Sequence, residues 1–414
     1  MEFAGCGDGE EHPSRREGIG SRCEMIPEGS VRFAPFSSSQ GTGRPTIRPM
    51  NDQNTAPRLF EPLDLRGLHL RNRIVVSPMC MYSAVDGVAS AWQHVHLGSL
   101  ACSGAGLVIT EATAVEPRGR ITPNCLGLWD DACESALARV VETVKAVAPA
   151  SALGVQLAHA GRKASHARPW SAKRGYVEPD DGGWESVGAS ANSYENIAPP
   201  AHAMSLADLD AMRDAFGTAA GRAARVGFDL VEMHAAHGYL LSSFLSPLSN
   251  ERTDAYGGSL ENRMRFPLEC FDAMRAAMPD DLPLMVRFSG TDWRDDIGGW
   301  STEDSVAFAI ELEKRGCDAV DVSTGGNAKA EYPVAPGFQV PFAAAVKKGV
   351  ESMPVVAVGE LDDPRFAEDV LERGDADAIA IGRGFLRDPR WPWRAAKELG
   401  GELELVDQYA WCVS

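Results

Sequence analysis

Residues 227–239 hold the most informative stretch of this 414-residue chain, Gly227-Phe-Asp-Leu-Val-Glu-Met-His234-Ala-Ala-His237-Gly-Tyr239. The run up to Met233 is apolar and predicts a buried parallel strand. Two imidazoles and a phenol then leave the carboxyl end of that strand together. The imidazoles can hold one substrate oxygen through two N–H bonds, and the phenol can donate a proton. This arrangement suits the reduction of a double bond that a carbonyl or nitro group polarises.

Strand-like and helical patterns alternate on both sides of this stretch, from Leu59 to Gly400. Each predicted strand is apolar throughout, which is typical of a parallel sheet covered on both faces. Eight such units predict an α/β fold, the (β/α)8 TIM barrel. An open doubly wound sheet is the alternative, although no Gly-x-Gly-x-x-Gly follows an early strand. The predicted strands are 73–79, 106–113, 152–159, 228–234, 282–288, 319–324, 354–359 and 377–382.

The predicted helices include 131–147, 206–226, 260–278, 302–316, 342–351, 364–374 and 392–400. Ser205 with Asp208, and Ser301 with Asp304, predict capping boxes at two helix starts. Two long segments, 161–204 and 328–341, follow strands, and we expect them to form loop excursions on the active-site face.

Composition excludes several classes of protein. The net charge of -18 and a pI near 5.0 argue against nucleic-acid or anionic-membrane partners. Nine cysteines without a CxxC pair predict no disulfide scaffold, iron–sulfur site or zinc ribbon. No apolar run approaches the length of a membrane span. These features predict a reduced, cytoplasmic protein.

Residues 1–55 differ from the rest because they are rich in Gly, Ser, Pro, Arg and Glu and show no periodicity. We expect a disordered N-terminal extension there, or a segment upstream of a natural start at Met50. The domain prediction is therefore an extension over 1–55 and a barrel domain over 56–414.

Residues at the predicted strand ends indicate a flavin. Gly359, Gly382 and Arg383 follow the last two strands, where barrels of this kind bind phosphate, although the glycines could simply form tight turns. Gln156 and Arg287 could face the polar edge of a flat heterocycle. Cys80, Ala112 and Met79 would supply small or soft packing. Together these residues predict flavin mononucleotide, and no metal site is predicted because a third ligand beside His234 and His237 is not evident.

These motifs resemble the Old Yellow Enzyme family of flavin-dependent ene-reductases, in particular its bacterial thermophilic-like and xenobiotic-reductase branch. The resemblance covers Leu59 to Gly400 and rests on five blocks in order, at 71–82, 111–121, 156–163, 234–263 and 381–389. It implies an FMN-dependent NADPH dehydrogenase. Such an enzyme reduces the C=C bond of α,β-unsaturated carbonyls, maleimides or nitro compounds with NADPH or NADH as hydride donor. It also implies a homo-oligomer, a dimer or a tetramer.

The resemblance also assigns residues. It makes Tyr239 the proton donor and gives His234, His237 and Cys80 catalytic roles, with Cys80 tuning the flavin potential. Substrate contacts would come from Tyr82, His234, His237, Tyr239 and Trp411. FMN would be held by Ser77, Pro78, Met79, Cys80, Ala112, Gln156, Arg287, Gly325, Gly359, Gly382 and Arg383. Two other functions stay open: a flavin-based redox sensor that uses Cys80, and a 2,4-dienoyl-CoA reductase-like oxidoreductase.

Overall fold

The computed structural model describes residues 56–172 and 174–413, so the predicted extension lies outside the described residues. Eight parallel strands pair in chain order, and the last of them pairs with the first to close the sheet. This closure confirms the TIM barrel and excludes the open doubly wound alternative. The strands are β1 Ile74–Val76, β2 Leu107–Ile109, β3 Ala152–Ala158, β4 Leu230–Ala235, β5 Leu284–Ser289, β6 Ala319–Ser323, β7 Val355–Ala357 and β8 Ala378–Ile381.

The helices follow the predicted pattern with small differences at their ends. Both predicted capping boxes are present, at Ser205 and at Ser301. The sequence prediction missed α1, although Ser90 and Gln93 form a capping box at its start. The helices are α1 Ala91–Ala101, α2 Asp131–Val147, α3 Leu206–Val226, α4 Leu240–Leu245, α5 Leu260–Ala276, α6 Thr302–Lys314, α7 Val340–Gly349, α8 Pro364–Glu372, α9 Arg383–Arg387, α10 Trp391–Leu399 and α11 Asp407–Val413.

Alternation along each strand divides the core into two parts. On β4, Val231 and Met233 point outward into the large cluster between sheet and helices, whereas Leu230 joins the cluster inside the barrel. Burying each of these side chains contributes roughly 1.5–3 kcal/mol. A two-stranded hairpin, Leu63–Leu65 with Leu68–Leu70, packs against the inner cluster before β1 begins. Apolar side chains therefore fill the barrel at the amino ends of its strands, and the polar groups lie toward the carboxyl ends.

The two predicted excursions follow β3 and β6, as expected. Short strands at Val187–Gly188 and His202–Ala203 pair within the first excursion, and α7 begins at Val340 after the second. No helix in the described part of the chain is long and apolar enough to cross a membrane.

Candidate active site

The turn after β4 is held in an unusual backbone conformation. His237 and Gly238 both have positive φ angles, 62° and 70°. A Cβ on Gly238 would lie 2.0 Å from the carbonyl oxygen of Gly326, so the loops after β4 and β6 touch through backbone. Lys163 Nζ donates to His237 O at 2.8 Å and to Gly326 O at 3.2 Å. The left-handed turn, which is uncommon for histidine, is thus fixed from both sides.

The two imidazoles of this turn form a chain of contacts. Ala236 N donates to His234 Nδ1 at 3.4 Å, His234 Nε2 lies 3.4 Å from His237 Nδ1, and His237 Nε2 lies 2.7 Å from Ser323 Oγ. Because His234 Nδ1 accepts a hydrogen bond, the proton of His234 is assigned to Nε2, which then donates to His237 Nδ1. The proton of His237 is by the same argument assigned to its Nε2, which donates to Ser323 Oγ. Both ring nitrogens of His237 therefore have protein partners, and binding a substrate oxygen requires one of these contacts to be exchanged.

The two imidazoles are electrically neutral at ordinary pH. Burial, reinforced by the charges of Arg287 and Lys163, lowers the pKa of His234 to about 3. Burial and the same cations, with His234, lower the pKa of His237 well below its usual range. Neutral imidazoles can donate an N–H bond but cannot supply a full positive charge.

Tyr239 lies beside this pair, with its ring centroid 5.2 Å from that of His234. Burial raises the pKa of the phenol well above its usual range, so Tyr239 keeps its proton. Lys163 Nζ lies 5.4 Å from the Tyr239 ring and 4.2 Å from the Tyr194 ring, and burial lowers its pKa to about 8. We call His234, His237, Tyr239 and Lys163 the substrate end. Sequence reasoning gave Lys163 no role, since its proximity arises from the fold.

Cys80 and Tyr82 follow β1 and interact with each other. The pKa values of both groups are raised, mainly by burial and, for Tyr82, next by the neighbouring Cys80. Tyr82 has a positive φ of 48° and contacts Trp170 edge to face at 5.9 Å. The Cys80 thiol is thus protonated, which is its less nucleophilic form.

A polar layer occupies the barrel interior, one step toward the mouth from the apolar layer. Gln156 Nε2 donates to Glu232 Oε1 at 2.7 Å, and Arg287 Nε lies 3.2 Å from Asp321 Oδ2. Strand pairing puts Gln156 opposite Glu232 and Arg287 opposite Asp321. Sequence reasoning proposed Gln156 and Arg287 but missed both carboxyls. Each of these carboxyls could have been noticed in the sequence, because each is an acid at an inward-facing position of an otherwise apolar strand.

The opposite rim, which we call the phosphate end, comprises Gly359, Glu360, Gly382 and Arg383. These residues line a cavity of about 210 Å³ with Ser77. Gly359 has a φ of 117°, and a Cβ there would lie 2.7 Å from the Gln339 amide nitrogen. Arg383 forms an ion pair with Glu360, and its side chain is 72% exposed. The structure therefore confirms that these residues come together, but Arg383 must leave Glu360 to meet a phosphate.

The residues present fit FMN. Among the described residues, Ser77 Oγ is buried without a hydrogen-bond partner, which indicates a polar atom that awaits a ligand. Pro78 and Met79 line the cavity beside Ser77, and Ala112 is buried just past β2. Gly325, after β6, is fixed by Ser289 Oγ, which donates to its carbonyl at 2.8 Å. Within the described ranges no group of three or more His, Cys, Asp or Glu could hold a metal ion.

Trp411 does not join the site of its own chain. The segment leading to α11 lies at the amino end of the barrel, where Arg71 Nη1 donates to Glu404 O at 3.0 Å. Helix α11 contacts α10 through Tyr409 and Trp393, and Trp411 is 77% exposed. The structure thus places Trp411 away from the substrate end of its own chain, and a contact of Trp411 with the substrate in a neighbouring subunit stays a prediction.

Known proteins resemble this chain in sequence and in fold. Residues 58–402 match the NADH:flavin oxidoreductase / NADH oxidase family. An NADPH dehydrogenase of Geobacillus thermodenitrificans is 43% identical over 85% of this chain and 97% of its own. Morphinone reductase, also solved in complex with tetrahydroNAD, is 30% identical with a TM-score of 0.68, covering 84% of this chain and 91% of its own. An Old Yellow Enzyme homologue from Zymomonas mobilis has a TM-score of 0.68 at 25% identity, covering 84% and 94%.

The family match spans nearly the whole described barrel and includes every residue of both ends of the site. The resemblance to the Old Yellow Enzyme family is thereby confirmed. The chain belongs to the NADH:flavin oxidoreductase / NADH oxidase family and is an FMN-dependent oxidoreductase that uses NADPH or NADH.

Proposed function

We propose that this enzyme reduces the C=C bond of α,β-unsaturated carbonyls, maleimides or nitro compounds. The observation that carries the proposal is the substrate end, where two neutral imidazoles adjoin a phenol that keeps its proton. Two imidazoles can polarise a substrate oxygen, and a phenol can protonate a neighbouring carbon, so this reaction does not require metal ligands. When bound, FMN supplies the hydride that it receives from NADPH or NADH.

The polar layer and the phosphate end would hold the cofactor. Gln156 donates its amide N–H to Glu232, so its carbonyl oxygen is left to accept a hydrogen bond. Arg287 would stabilise negative charge on the reduced ring, and Ser77 Oγ would gain the partner it lacks. Arg383 would exchange Glu360 for the phosphate, a bidentate contact that an exposed guanidinium can make without strain.

The imidazoles would bind the substrate oxygen. His234 Nε2–H and His237 Nε2–H would be the two donors, once His234 releases His237 Nδ1 and His237 releases Ser323. Negative charge develops on that oxygen as the β carbon is attacked, so the two bonds strengthen toward the transition state. Because His234 is buried and Lys163 fixes the backbone of the turn, little reorganisation is needed when this charge appears.

Tyr239 would protonate the α carbon. A raised phenol pKa means that the proton is held until a carbanion-like centre forms beside it. Lys163, 5.4 Å from the ring, would then stabilise the phenolate until solvent returns the proton. Tyr82 would contact the substrate from the loop after β1.

We also propose that the chain forms a homo-oligomer, a dimer or a tetramer. The largely exposed Trp411 supports this proposal, since a large indole on a terminal helix gains most from burial against a second copy. Analytical ultracentrifugation tests it, because a monomer at micromolar concentration would contradict the proposal.

Anaerobic stopped-flow absorbance tests the reaction. The FMN-loaded enzyme, reduced with one equivalent of NADPH, should be reoxidised by 2-cyclohexenone. In His234→Ala the reoxidation should be slower by about 10²-fold, the effect of removing one donor to a developing oxyanion. Reduction by NADPH serves as the internal control for an intact flavin site. A wild-type flavin that NADPH reduces but no alkene reoxidises would contradict the proposed function.

A further inference from the structure

The polar layer contains more acid than the flavin clamp needs. Its four members, Gln156, Glu232, Arg287 and Asp321, come from four adjacent strands, and none of them is more than 7% exposed. The layer itself holds one guanidinium and two carboxyls. One carboxyl can be balanced by Arg287, whereas a second ionised carboxyl would be an uncompensated charge in the barrel interior.

Hydrogen bonding leaves both carboxyls half satisfied. Glu232 Oε1 accepts from Gln156, but Glu232 Oε2 is buried without a partner in the described part of the chain. Asp321 Oδ2 lies near Arg287, but Asp321 Oδ1 likewise has no partner among residues 56–172 and 174–413. A carboxylate oxygen without a donor in an apolar interior is costly, and a bound proton removes that cost.

We propose that Glu232 and Asp321 share one exchangeable proton and that this proton couples flavin reduction to the pH of the solution. The inference rests on the proposed placement of FMN against Gln156 and Arg287. Glu232 is a positioning residue in this account, because it acts on the flavin through Gln156 and the charge of Arg287.

The surroundings of Glu232 set the direction of its titration. The charged and polar groups that act on it are Asp321 on β6, Arg287 on β5 and Gln156 on β3. Burial first, and then the charge of Asp321, raise the pKa of Glu232, while Arg287 and Gln156 oppose that shift. Burial also raises the pKa of Asp321. The layer therefore keeps one proton well above the pH at which an exposed carboxyl loses it.

Reduction of a bound FMN would add negative charge near Arg287, the residue that would stabilise it. At low pH the carboxyl of the polar layer is protonated whether the flavin is oxidised or reduced. The number of protons taken up on reduction is then that of the flavin alone. At high pH the layer is ionised while the flavin is oxidised, and reduction by two electrons from NADPH then draws one proton from solvent onto the carboxyl. The reduction potential should thus fall more steeply with pH above the raised pKa of Glu232 than below it.

Spectroelectrochemistry of the FMN-loaded protein between pH 6 and 10 tests this inference. Wild type should take up an increasing number of protons per two electrons with rising pH, by up to about one extra proton. Glu232→Gln, which is close in shape and cannot ionise, should lose the extra uptake and have the higher potential at high pH. Glu368→Gln is the matched control, since Glu368 is also a buried acid but binds Arg58 N and Leu59 N outside the sheet. It should behave as wild type.

A second readout separates this inference from the placement of FMN. Infrared difference spectra of the oxidised and reduced protein should show a carboxylic-acid carbonyl band that disappears in Glu232→Gln. FMN affinity of Gln156→Leu tests the placement, which predicts weaker binding. Weaker binding in Gln156→Leu together with unchanged proton uptake in Glu232→Gln would overturn the inference and leave the proposed function standing. Unchanged FMN affinity in Gln156→Leu would overturn the placement itself.

Discussion

The substrate end and the phosphate end lie at the same mouth of the barrel but differ in burial and in how their charged groups are paired. At the substrate end, His234 is 3% exposed, burial keeps the imidazoles neutral, and the backbone is fixed by Lys163. At the phosphate end, Arg383 is largely exposed and is paired with an acid that a ligand can replace. The chemistry is thus placed where water is excluded and groups are fixed, and cofactor binding is placed where charges are hydrated and exchangeable.

The largest effect should follow from removing the proton at the substrate end. Tyr239→Phe keeps the ring and removes only the hydroxyl, so reoxidation by 2-cyclohexenone should slow by about 10²–10⁴-fold, the usual contribution of a general acid. The rate of reduction by NADPH should stay within about twofold. Rapid-mixing absorbance measures both half-reactions on the same sample. Equal slowing of both would show that Tyr239 shapes the flavin site and does not supply the proton.

A smaller effect should come from the cation beside that phenol. The pKa of Lys163 is lowered to about 8, so the lysine is charged below that pH and becomes neutral above it. Reoxidation should therefore be fastest below pH 8 and fall as pH rises through it, by about tenfold, the equivalent of roughly 1.4 kcal/mol. In Lys163→Gln this decline should be absent and the rate low throughout. A decline that persists in Lys163→Gln would assign the titration to another group.

At the phosphate end, single changes should alter binding and leave chemistry intact. Arg383→Ala should weaken FMN binding by about fivefold, because an exposed charge pair contributes about 1 kcal/mol at most. Glu360→Gln is the matched variant, and it should bind FMN as tightly as wild type or tighter, since Arg383 is then free for the phosphate. Fluorescence titration of apoprotein with FMN measures both. Weaker binding in Glu360→Gln would contradict the exchange of Arg383 from acid to phosphate.

Cys80 lies between the two ends, and its effect should be the smallest. Cys80→Thr should change the flavin potential modestly and so move the two half-reactions in opposite directions, one faster and the other slower by a similar factor. About 30 mV corresponds to roughly 1.4 kcal/mol for two electrons, so a small contact is measurable. Potentials and half-reaction rates that do not change in Cys80→Thr would leave the thiol as a packing residue.

The contrast between the ends also explains what the sequence could predict. The carboxyl ends of parallel strands converge, so residues such as His234, Gln156 and Arg287 could be placed from strand patterns alone. The alternation of side chains along a strand even predicts that Glu232 points into the barrel. That Asp321 belongs to the same polar layer is known only from the fold. Helix caps at Ser205 and Ser301 are local features and were predicted correctly.

Contacts between distant loops were beyond sequence reasoning. Lys163 reaches the turn after β4 because two excursions meet there, and Arg383 meets Glu360 across two loops. The position of Trp411 could not be predicted, because the course of the last segment depends on Arg71, more than three hundred residues earlier in the chain. The helix α1 was missed because its two histidines and Gln93 interrupt the apolar pattern of the helix. The capping box at its start was the one local signal that could have indicated it.

Isotope labelling of the product tests the division between hydride and proton most directly. With NADPH deuterated at its transferable position, 2-cyclohexenone reduced in ordinary water should carry deuterium at the β carbon. With ordinary NADPH in deuterium oxide, the label should appear at the α carbon, delivered through Tyr239, which exchanges its proton with solvent. NMR of the saturated ketone measures both positions. Solvent deuterium at the β carbon, or cofactor deuterium absent from the product, would contradict the account.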